Sequence, residues 1–440
     1  MNRERNMKGI KIAIIGSGST YTPELIEGLI NKKDSIPLSE LYLMDIDERK
    51  RTIVGGLCQR MIKAAGMDTK VVLTDNLDEA LKGASFVLAQ IRVGKLPARI
   101  LDEKIPLKYG MIGQETNGIG GFFKGMRTIP EILKITKRME ELCPDAWLIN
   151  FSNPSGMIAE AVLNNSPIKM MGLCNVPINT IDSIRKQLEL PNAYVQYLGL
   201  NHLAWVTKIE QDGKDYLSDA MKVGLNSATM KNIPTGGFSR ELIQTVGAIP
   251  TCYLEYYYHR DAKLEHCLHA EKCRGEICLE IEEQLLELYS HQELHVKPEL
   301  LSKRGGARYS EAAINLVDAI YNDKKEVHVV NILNKGAIPF MGYNDAVEIN
   351  AIIGKDGATP IMTNYHNEHI EEVMHMMKAY EKHAVKAAIT GNIDEAMRAL
   401  MINPLVFDHQ KAWDCFHELL EAHKKYLPQF SKYLKENQDQ

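Results

Sequence analysis

A chain of 440 residues is too long for one small module and favours two domains or one large α/β unit. Its 45% hydrophobic and 25% charged residues are ordinary globular averages, which excludes a disordered or fibrous protein. The net charge of −5 lacks the basic footprint of a nucleic-acid-binding protein, and no apolar run approaches the ~20 residues that span a bilayer.

The N-terminus and the cysteines favour a reducing cytoplasm. Residues 1–10, MNRERNMKGI, carry charges where a secretory signal would have an apolar segment. The eight cysteines are scattered and form neither a disulfide framework nor a CxxC metal pair. We therefore expect a cytoplasmic protein.

The N-terminal half alternates short apolar strands with helical stretches. A β-branched run at residues 11–15 predicts the first strand, and residues 23–30 after a glycine-rich turn predict the first helix. This alternation predicts right-handed βαβ units and a Rossmann-like, doubly wound parallel sheet. Further strands are predicted at residues 41–44, 71–73, 86–90, 147–150 and 170–173.

The pattern changes near residue 200. Asp-Gly turns at residues 212–213 and 356–357 predict antiparallel hairpins. Residues 262–290 and 366–426 are amphipathic with few helix breakers, which predicts helices.

These changes predict two domains that pack closely around a cleft. The first is a Rossmann-like domain over residues 8–200. The second, over residues 201–440, is an α+β domain of helices and a small antiparallel sheet.

The turn after the first strand has the start of a dinucleotide fingerprint. Gly16 and Gly18 let the backbone approach a pyrophosphate at a helix N-terminus, but Tyr21 replaces the third glycine. On this motif alone, a glycine turn in another α/β fold is equally compatible. Asp45, at the end of the second strand, is placed to bind a ribose 2′-hydroxyl and disfavours a 2′-phosphate, which favours NAD.

Polar side chains also follow later strands, at residues 150–156, 172–177 and 199–203. Open α/β sheets bind ligands at these carboxyl ends. Taken singly, however, a cysteine is usually a small buried apolar group, and a histidine is more often structural than a ligand. The spacing alone does not place Cys174 beside His202.

Several longer strings carry a family resemblance over residues 9 to about 430. In chain order they are GSGSTYTPEL from residue 16, GQET from 113, NFSNPSG from 150, GLCNVP from 172, GLNHL from 199 and KRGG from 303. Together they resemble glycoside hydrolase family 4, the NAD- and metal-dependent glycosidases. Asn175 after the cysteine resembles the 6-phospho-β-glucosidase branch, because the 6-phospho-α-glucosidases carry Asp there.

The resemblance implies hydrolysis through redox chemistry, an exception to the usual pair of carboxylates. NAD⁺ takes a hydride from C3 of the sugar, a base removes the acidified C2 proton, the aglycone is eliminated, water adds, and NADH returns the hydride. A divalent metal stabilises the charge that develops on the oxygens. The implied substrates are phosphorylated disaccharides such as cellobiose 6-phosphate, or aryl 6-phospho-β-glucosides, which yield glucose 6-phosphate and the aglycone.

The resemblance also implies site residues. Cys174 and His202 correspond to the metal ligands, with Mn²⁺ as the usual ion and softer divalent metals left open by the thiol. Tyr253, the first tyrosine of YLEYY, corresponds to the base. The cofactor residues are Gly16, Gly18, Ser19, Thr20, Asp45 and Asn150, and the substrate residues are Arg99, Asn153, Asn175, Arg274 and Arg304. The resemblance implies NAD binding by the domain over residues 8–200 and substrate, metal and oligomer contacts from the domain over residues 201–440. Family members are often oligomeric, so we expect a homodimer or homotetramer.

Two other functions fit a Rossmann-like sheet. An NAD-dependent 2-hydroxy-acid dehydrogenase needs a His–Asp pair, an arginine for the substrate carboxylate and no metal, and it accumulates NADH. A non-catalytic NAD or sugar-phosphate sensor binds ligands without turnover. The cysteine, histidine and tyrosine strings together favour the glycosidase over both.

Overall fold

The computed structural model describes residues 9–226, 236–304, 308–406 and 408–436. Its strands join in a single 13-stranded mixed sheet. They are β1 Ile10–Ile15, β2 Leu38–Met44, β3 Lys70–Thr74, β4 Phe86–Ala89, β5 Trp147–Asn150, β6 Lys169–Gly172, β7 Tyr194–Leu200, β8 Leu203–Gln211, β9 Lys214–Asp215, β10 Ile249–Pro250, β11 Glu326–Leu333, β12 Ala346–Gly354 and β13 Gly357–Pro360.

The N-terminal strands form a parallel sheet in the order β3-β2-β1-β4-β5-β6. This is the strand order of a dinucleotide-binding doubly wound fold. Apolar residues fill its strands because helices cover both faces, and Ile12, Ile14, Leu43 and Leu88 are fully buried. The predicted Rossmann-like sheet is confirmed.

The later strands extend the same sheet in antiparallel fashion. Next to β6 lie β11, β12, β7, β8 and β10, with β13 and β9 paired to β12 and β8. The antiparallel strands are therefore continuous with the parallel sheet rather than a separate small one. Both predicted Asp-Gly hairpins are present, joining β8 to β9 and β12 to β13.

Seventeen helices are described around the sheet. They are α1 Thr22–Asn31, α2 Glu48–Ala64, α3 Leu77–Leu81, α4 Lys95–Lys104, α5 Gly118–Leu142, α6 Ser155–Asn165, α7 Asn175–Gln187, α8 Leu217–Lys222, α9 Arg240–Val246, α10 Glu255–Tyr258, α11 Arg260–His269, α12 Arg274–Ser290, α13 Tyr309–Tyr321, α14 Glu368–Thr390, α15 Ile393–Ile402, α16 His409–His423 and α17 Ser431–Glu436. In the described part of the chain, none is both long and apolar enough to cross a membrane.

The predicted helical segments contain breaks. Residues 262–290 are covered by α11 and α12 with a bend between them, and residues 366–426 are divided among α14, α15, α16 and a 3₁₀ turn. The domain boundary at residue 200 stays a prediction, and Lys8, the first residue of the predicted N-terminal domain, lies outside the described residues.

A buried ion-pair cluster ties the C-terminal helix α16 to the helices of the first half. Asp102 of α4 accepts from Arg127 Nη1 of α5 at 2.9 Å and from His423 Nε2 of α16 at 2.9 Å. Burial alone would raise the pKa of Asp102, but Arg127 and His423 outweigh burial and lower it. The carboxylate is therefore charged and compensated inside the helix packing.

We predict that Asp102→Ala destabilises the protein by about 3–5 kcal/mol, because it leaves the Arg127 guanidinium buried without its carboxylate. Urea unfolding followed by circular dichroism measures the change. The control is Asp78→Ala, which breaks the solvent-exposed pair with Arg138 and should shift the midpoint little. Equal shifts for the two variants would contradict this role of Asp102.

Candidate active site

A cleft of about 700 Å³ lies at the carboxyl ends of the parallel strands. Loops after β1, β4, β5 and β6 form one wall, and side chains of α12 and Arg304 contribute to the other. The strand order reverses between β1 and β4, which is where doubly wound sheets bind their ligands. The volume is that of a small-molecule site.

The glycine turn after β1 is shaped for close backbone approach. Gly16 has a φ of +86°, and a Cβ there would lie 2.9 Å from the Gln90 carbonyl oxygen. A Cβ on Gly18 would lie 2.8 Å from both Asp45 Oδ2 and Lys50 Cβ. The Gly18 N–H donates to Asp45 Oδ2 at 2.7 Å, so the acid at the end of β2 is joined to the turn.

The remaining predicted cofactor residues divide into two groups. Ser19 lines the cleft, as do Gly16, Gly18 and Asp45. Thr20 and Asn150 are fully buried behind the wall. The Asn150 amide donates to the Ser152 carbonyl and accepts from the Ser152 N–H, both at 3.1 Å. The structure therefore does not bring Asn150 to the cleft; its side chain shapes the loop after β5.

Cys174 and His202 lie together, buried next to Asn175 and Tyr253, which line the cleft. The distance from Cys174 Sγ to His202 Nε2 is 3.6 Å, and their exposed fractions are 3% and 4%. Cys174 caps the N-terminus of α7 directly after β6, where the helix dipole favours negative charge. His202 has a φ of +66° in the tight turn between β7 and β8.

These two side chains fit one divalent cation. Burial, followed by the charge of Lys124, lowers the pKa of His202 to about 3, so its imidazole is neutral, the form that binds metals. No group of three or more His, Cys, Asp or Glu suited to a metal occurs in the described ranges. A cation held here thus has positions left for substrate oxygens and water.

Tyr253 packs directly on His202. The two rings are stacked with centroids 3.6 Å apart and an interplanar angle of 9°. The pairing of β10 with β8, continued by the Thr251 N–H to Ala204 carbonyl bond at 3.0 Å, places the tyrosine there. Burial, then the neighbouring Cys174, raises the pKa of Tyr253 well above its usual value. Tyr253 also lines the cleft.

All five predicted substrate residues line the cleft. The Nε atoms of Arg274 and Arg304 are buried and have no hydrogen-bond partner among the described residues. The same holds for Asn153 Oδ1. Arg304 also lies over the Tyr21 ring, 4.8 Å from its centroid. Asn175 lines the cleft next to Cys174. Gly305 and Gly306 of the KRGG string lie outside the described residues.

Arg99 lines the cleft but is already engaged. Its Nε donates to Glu103 Oε1 at 2.7 Å and its Nη1 pairs with Glu115 Oε1 at 2.9 Å. Glu115 also pairs with Arg92 and with Lys124, the latter at 2.7 Å. These cations outweigh burial and hold the pKa of Glu115 well below its usual value.

The cluster of Arg92, Arg99, Glu115 and Lys124 was missed as a unit by the sequence analysis, although Glu115 belongs to the GQET string. Burial, then the charge of Arg92, lowers the pKa of Lys124 to about 7. A signal was present: Lys124 interrupts the apolar, glycine-rich start of α5, where a solvated lysine is not expected.

Family models match nearly the whole chain. The family 4 glycosyl hydrolase model matches residues 11–190, and the model of the family 4 glycosyl hydrolase C-terminal domain matches residues 197–406.

Individual relatives agree with the family match. A probable 6-phospho-beta-glucosidase of Bacillus subtilis is 46% identical over 434 residues, 96% of this chain and 98% of the relative. The 6-phospho-beta-glucosidase of Escherichia coli is 42% identical, over 97% of this chain and 98% of the relative. The 6-phospho-beta glucosidase of Thermotoga maritima, solved with manganese, NAD⁺ and glucose-6-phosphate, has a TM-score of 0.86 and 33% identity over 95% of this chain and 99% of its own.

We predict that Gly18→Ala weakens NAD binding by about tenfold or more, because the new Cβ displaces Asp45 or Lys50 from the turn. Isothermal titration calorimetry measures the affinity. The control is Gly56→Ala within α2, where a Cβ meets only Arg60 Nη1, at 3.4 Å. Unchanged NAD affinity in Gly18→Ala would contradict this reading of the turn.

Proposed function

The chain belongs to family 4 of the glycosyl hydrolases, and we propose that it hydrolyses 6-phospho-β-glucosides to glucose 6-phosphate and an aglycone with NAD and a divalent metal, most often Mn²⁺. The observation that carries the proposal is the thiol–imidazole pair of Cys174 and His202 with the Tyr253 ring stacked on it. The activity named for the relatives, and Asn175 after the cysteine, support the β over the α substrate.

The cofactor and the metal supply hydride transfer and a Lewis acid, which the side chains of the cleft do not provide. When bound, NAD exchanges a hydride with C3 of the sugar, and the cation held by Cys174 and His202 polarises the sugar oxygens and lowers the pKa of nearby acids. With a ketone at C3 the C2 proton becomes acidic, and Tyr253, which lines the cleft, is the base that removes it. Elimination expels the aglycone, and water adds at C1.

The substrate phosphate needs cationic donors. Arg274 and Arg304 each present a buried Nε that lacks a partner among the described residues, and both line the cleft. A guanidinium N–H binds a phosphate oxygen by a charge-assisted hydrogen bond. Arg304 Nη2 also pairs with Glu282 at 3.1 Å, and Arg274 Nη2 donates to the Arg304 carbonyl oxygen at 2.6 Å. Arg99, which pairs with Glu103 and Glu115, therefore stays a candidate for the phosphate beside these two arginines. Asn153 and Asn175 serve the sugar hydroxyls.

The dehydrogenase alternative is less well supported. The His–Asp pair that it requires occurs at His423 and Asp102, with exposed fractions of 1% and 0%. Arg127 also donates to Asp102 inside the helix packing, so the pair of His423 and Asp102 has a structural role. The pair is also absent from the described residues that line the cleft.

The setting and assembly are part of the same proposal. The eight cysteines form no disulfide, which supports a reducing cytoplasm for a protein that uses a thiol as a metal ligand. We propose a homodimer or homotetramer on the resemblance to the family.

Paired hydrolysis assays test the function. Under reductant, with NAD⁺ and Mn²⁺ present, we predict turnover of an aryl 6-phospho-β-glucoside, with the 6-phospho-α anomer as the matched substrate and omission of NAD⁺ or Mn²⁺ as controls. NADH does not accumulate, because the hydride returns in each cycle. NADH formed in proportion to substrate would instead support a dehydrogenase, and ligand binding without turnover a sensor.

We predict that Tyr253→Phe lowers kcat by about 100- to 10,000-fold, because the base for C2 is lost while the ring stack on His202 is kept. The direct measurement is incorporation of solvent deuterium at C2, which should disappear. Mn²⁺ and NAD affinities serve as controls and should stay at wild-type values. Wild-type deuterium incorporation in this variant would show that another group removes the proton.

A further inference from the structure

Glu348 is a buried carboxylate that the proposed mechanism does not use. It lies in β12 with an exposed fraction of 1%. Its Oε1 accepts from Asn201 Nδ2 and from Asn331 Nδ2, both at 2.9 Å. The carboxyl group also lies near the Tyr197 hydroxyl, but no hydrogen bond of normal geometry reaches its Oε2 from the described residues. A carboxyl group with such incomplete pairing is costly to bury, so a purely stabilising role is a weak explanation.

Glu348 lies in β12, and β11 and β12 separate the strands β6 and β7 that precede Cys174 and His202. Residues paired across these strands form one row: Glu348 pairs with Gly199 of β7 on one side and with Asn331 of β11 on the other. Asn331 in turn pairs with Gly172 of β6, the only register pair between these two strands. Gly172 lies two residues before Cys174, and Gly199, near the end of β7, lies three residues before His202.

The side chains along this row are closely packed. A Cβ added to Gly172 would lie 2.9 Å from Asn331 Cβ, so the glycine lets the asparagine approach the end of β6. Asn331 Nδ2 also approaches the Gly172 carbonyl oxygen at 3.4 Å. On the other side, Asn201 is the residue directly before His202. One carboxylate oxygen therefore joins the loop of the thiol to the loop of the imidazole.

We propose that Glu348 is a positioning residue that holds the Cys174 and His202 loops at the separation needed to bind one divalent cation. The inference rests on the proposed function, because it concerns the same two ligands. Residues that orient metal ligands without touching the metal typically contribute about 10- to 100-fold to metal affinity. Because Oε1 accepts both bonds, a carboxamide at this position can keep them.

The test is Mn²⁺ binding to the NAD-loaded protein, measured by the electron paramagnetic resonance signal of free Mn²⁺. We expect Glu348→Ala to weaken Mn²⁺ binding by about 10- to 100-fold and Glu348→Gln to stay within about threefold of wild type. NAD affinity, measured separately, should be unchanged in both. If Glu348→Ala fails to fold, Asn331→Ala replaces it and should weaken Mn²⁺ binding in the same direction.

Two further variants distinguish a failure of the positioning role of Glu348 from a failure of the proposed metal site. Asp318→Ala removes another buried carboxylate, which lies in α13 and pairs with Lys32 and Lys324, and this variant should keep the wild-type Mn²⁺ affinity. Equal weakening in Asp318→Ala, or wild-type affinity in a folded Glu348→Ala, would overturn the positioning role. Cys174→Ser tests the site itself: Mn²⁺ binding that survives this change would contradict the proposed metal ligands rather than Glu348.

Discussion

Cys174 Sγ and His202 Nε2 lie 3.6 Å apart although 28 residues separate them along the chain. Sheet geometry produces this contact, because β6 ends just before the cysteine and the β7–β8 turn carries the histidine. The antiparallel strands β11 and β12 lie between β6 and β7 and set the spacing of the two loops. The stacking of the Tyr253 ring on His202 depends on this arrangement.

Burial and charge together prepare the region for chemistry. His202 is kept neutral by burial, whereas Glu115 is kept charged by the cations around it. In a site with little solvent, such fixed charges act more strongly than they would in water. Arg274 and Arg304 line the cleft, and the Nε of each has no hydrogen-bond partner among the described residues. One edge of the sheet thus carries the glycine turn, the proposed metal ligands Cys174 and His202, and the arginines proposed to bind phosphate.

Much of this could be predicted from the sequence, for identifiable reasons. The strands of the parallel sheet are continuous apolar runs, and Gly16 and Gly18 mark a turn that only glycine fills without displacing neighbours. The ordered strings gave the family, which the family models confirm. The roles of Cys174, His202 and Tyr253 remain proposals.

Other features depend on contacts that no local pattern encodes. Asn150 lies in a predicted site string, but its amide closes on Ser152 instead of facing the cleft. The pairing of Arg99 with Glu115 and the row through Glu348 join residues from distant elements. Spacing along the chain carries no information about such partners, because the sheet order that unites them is set by the whole fold.

We propose that Cys174 and His202 hold one cation beside the dinucleotide. Anomalous diffraction at the manganese edge, from crystals grown with NAD⁺, Mn²⁺ and glucose 6-phosphate, tests this proposal. We expect one strong peak within bonding distance of both Cys174 Sγ and His202 Nε2, with sugar oxygens as further ligands. A peak bound to only one of these side chains, or held by carboxylates elsewhere, would contradict it.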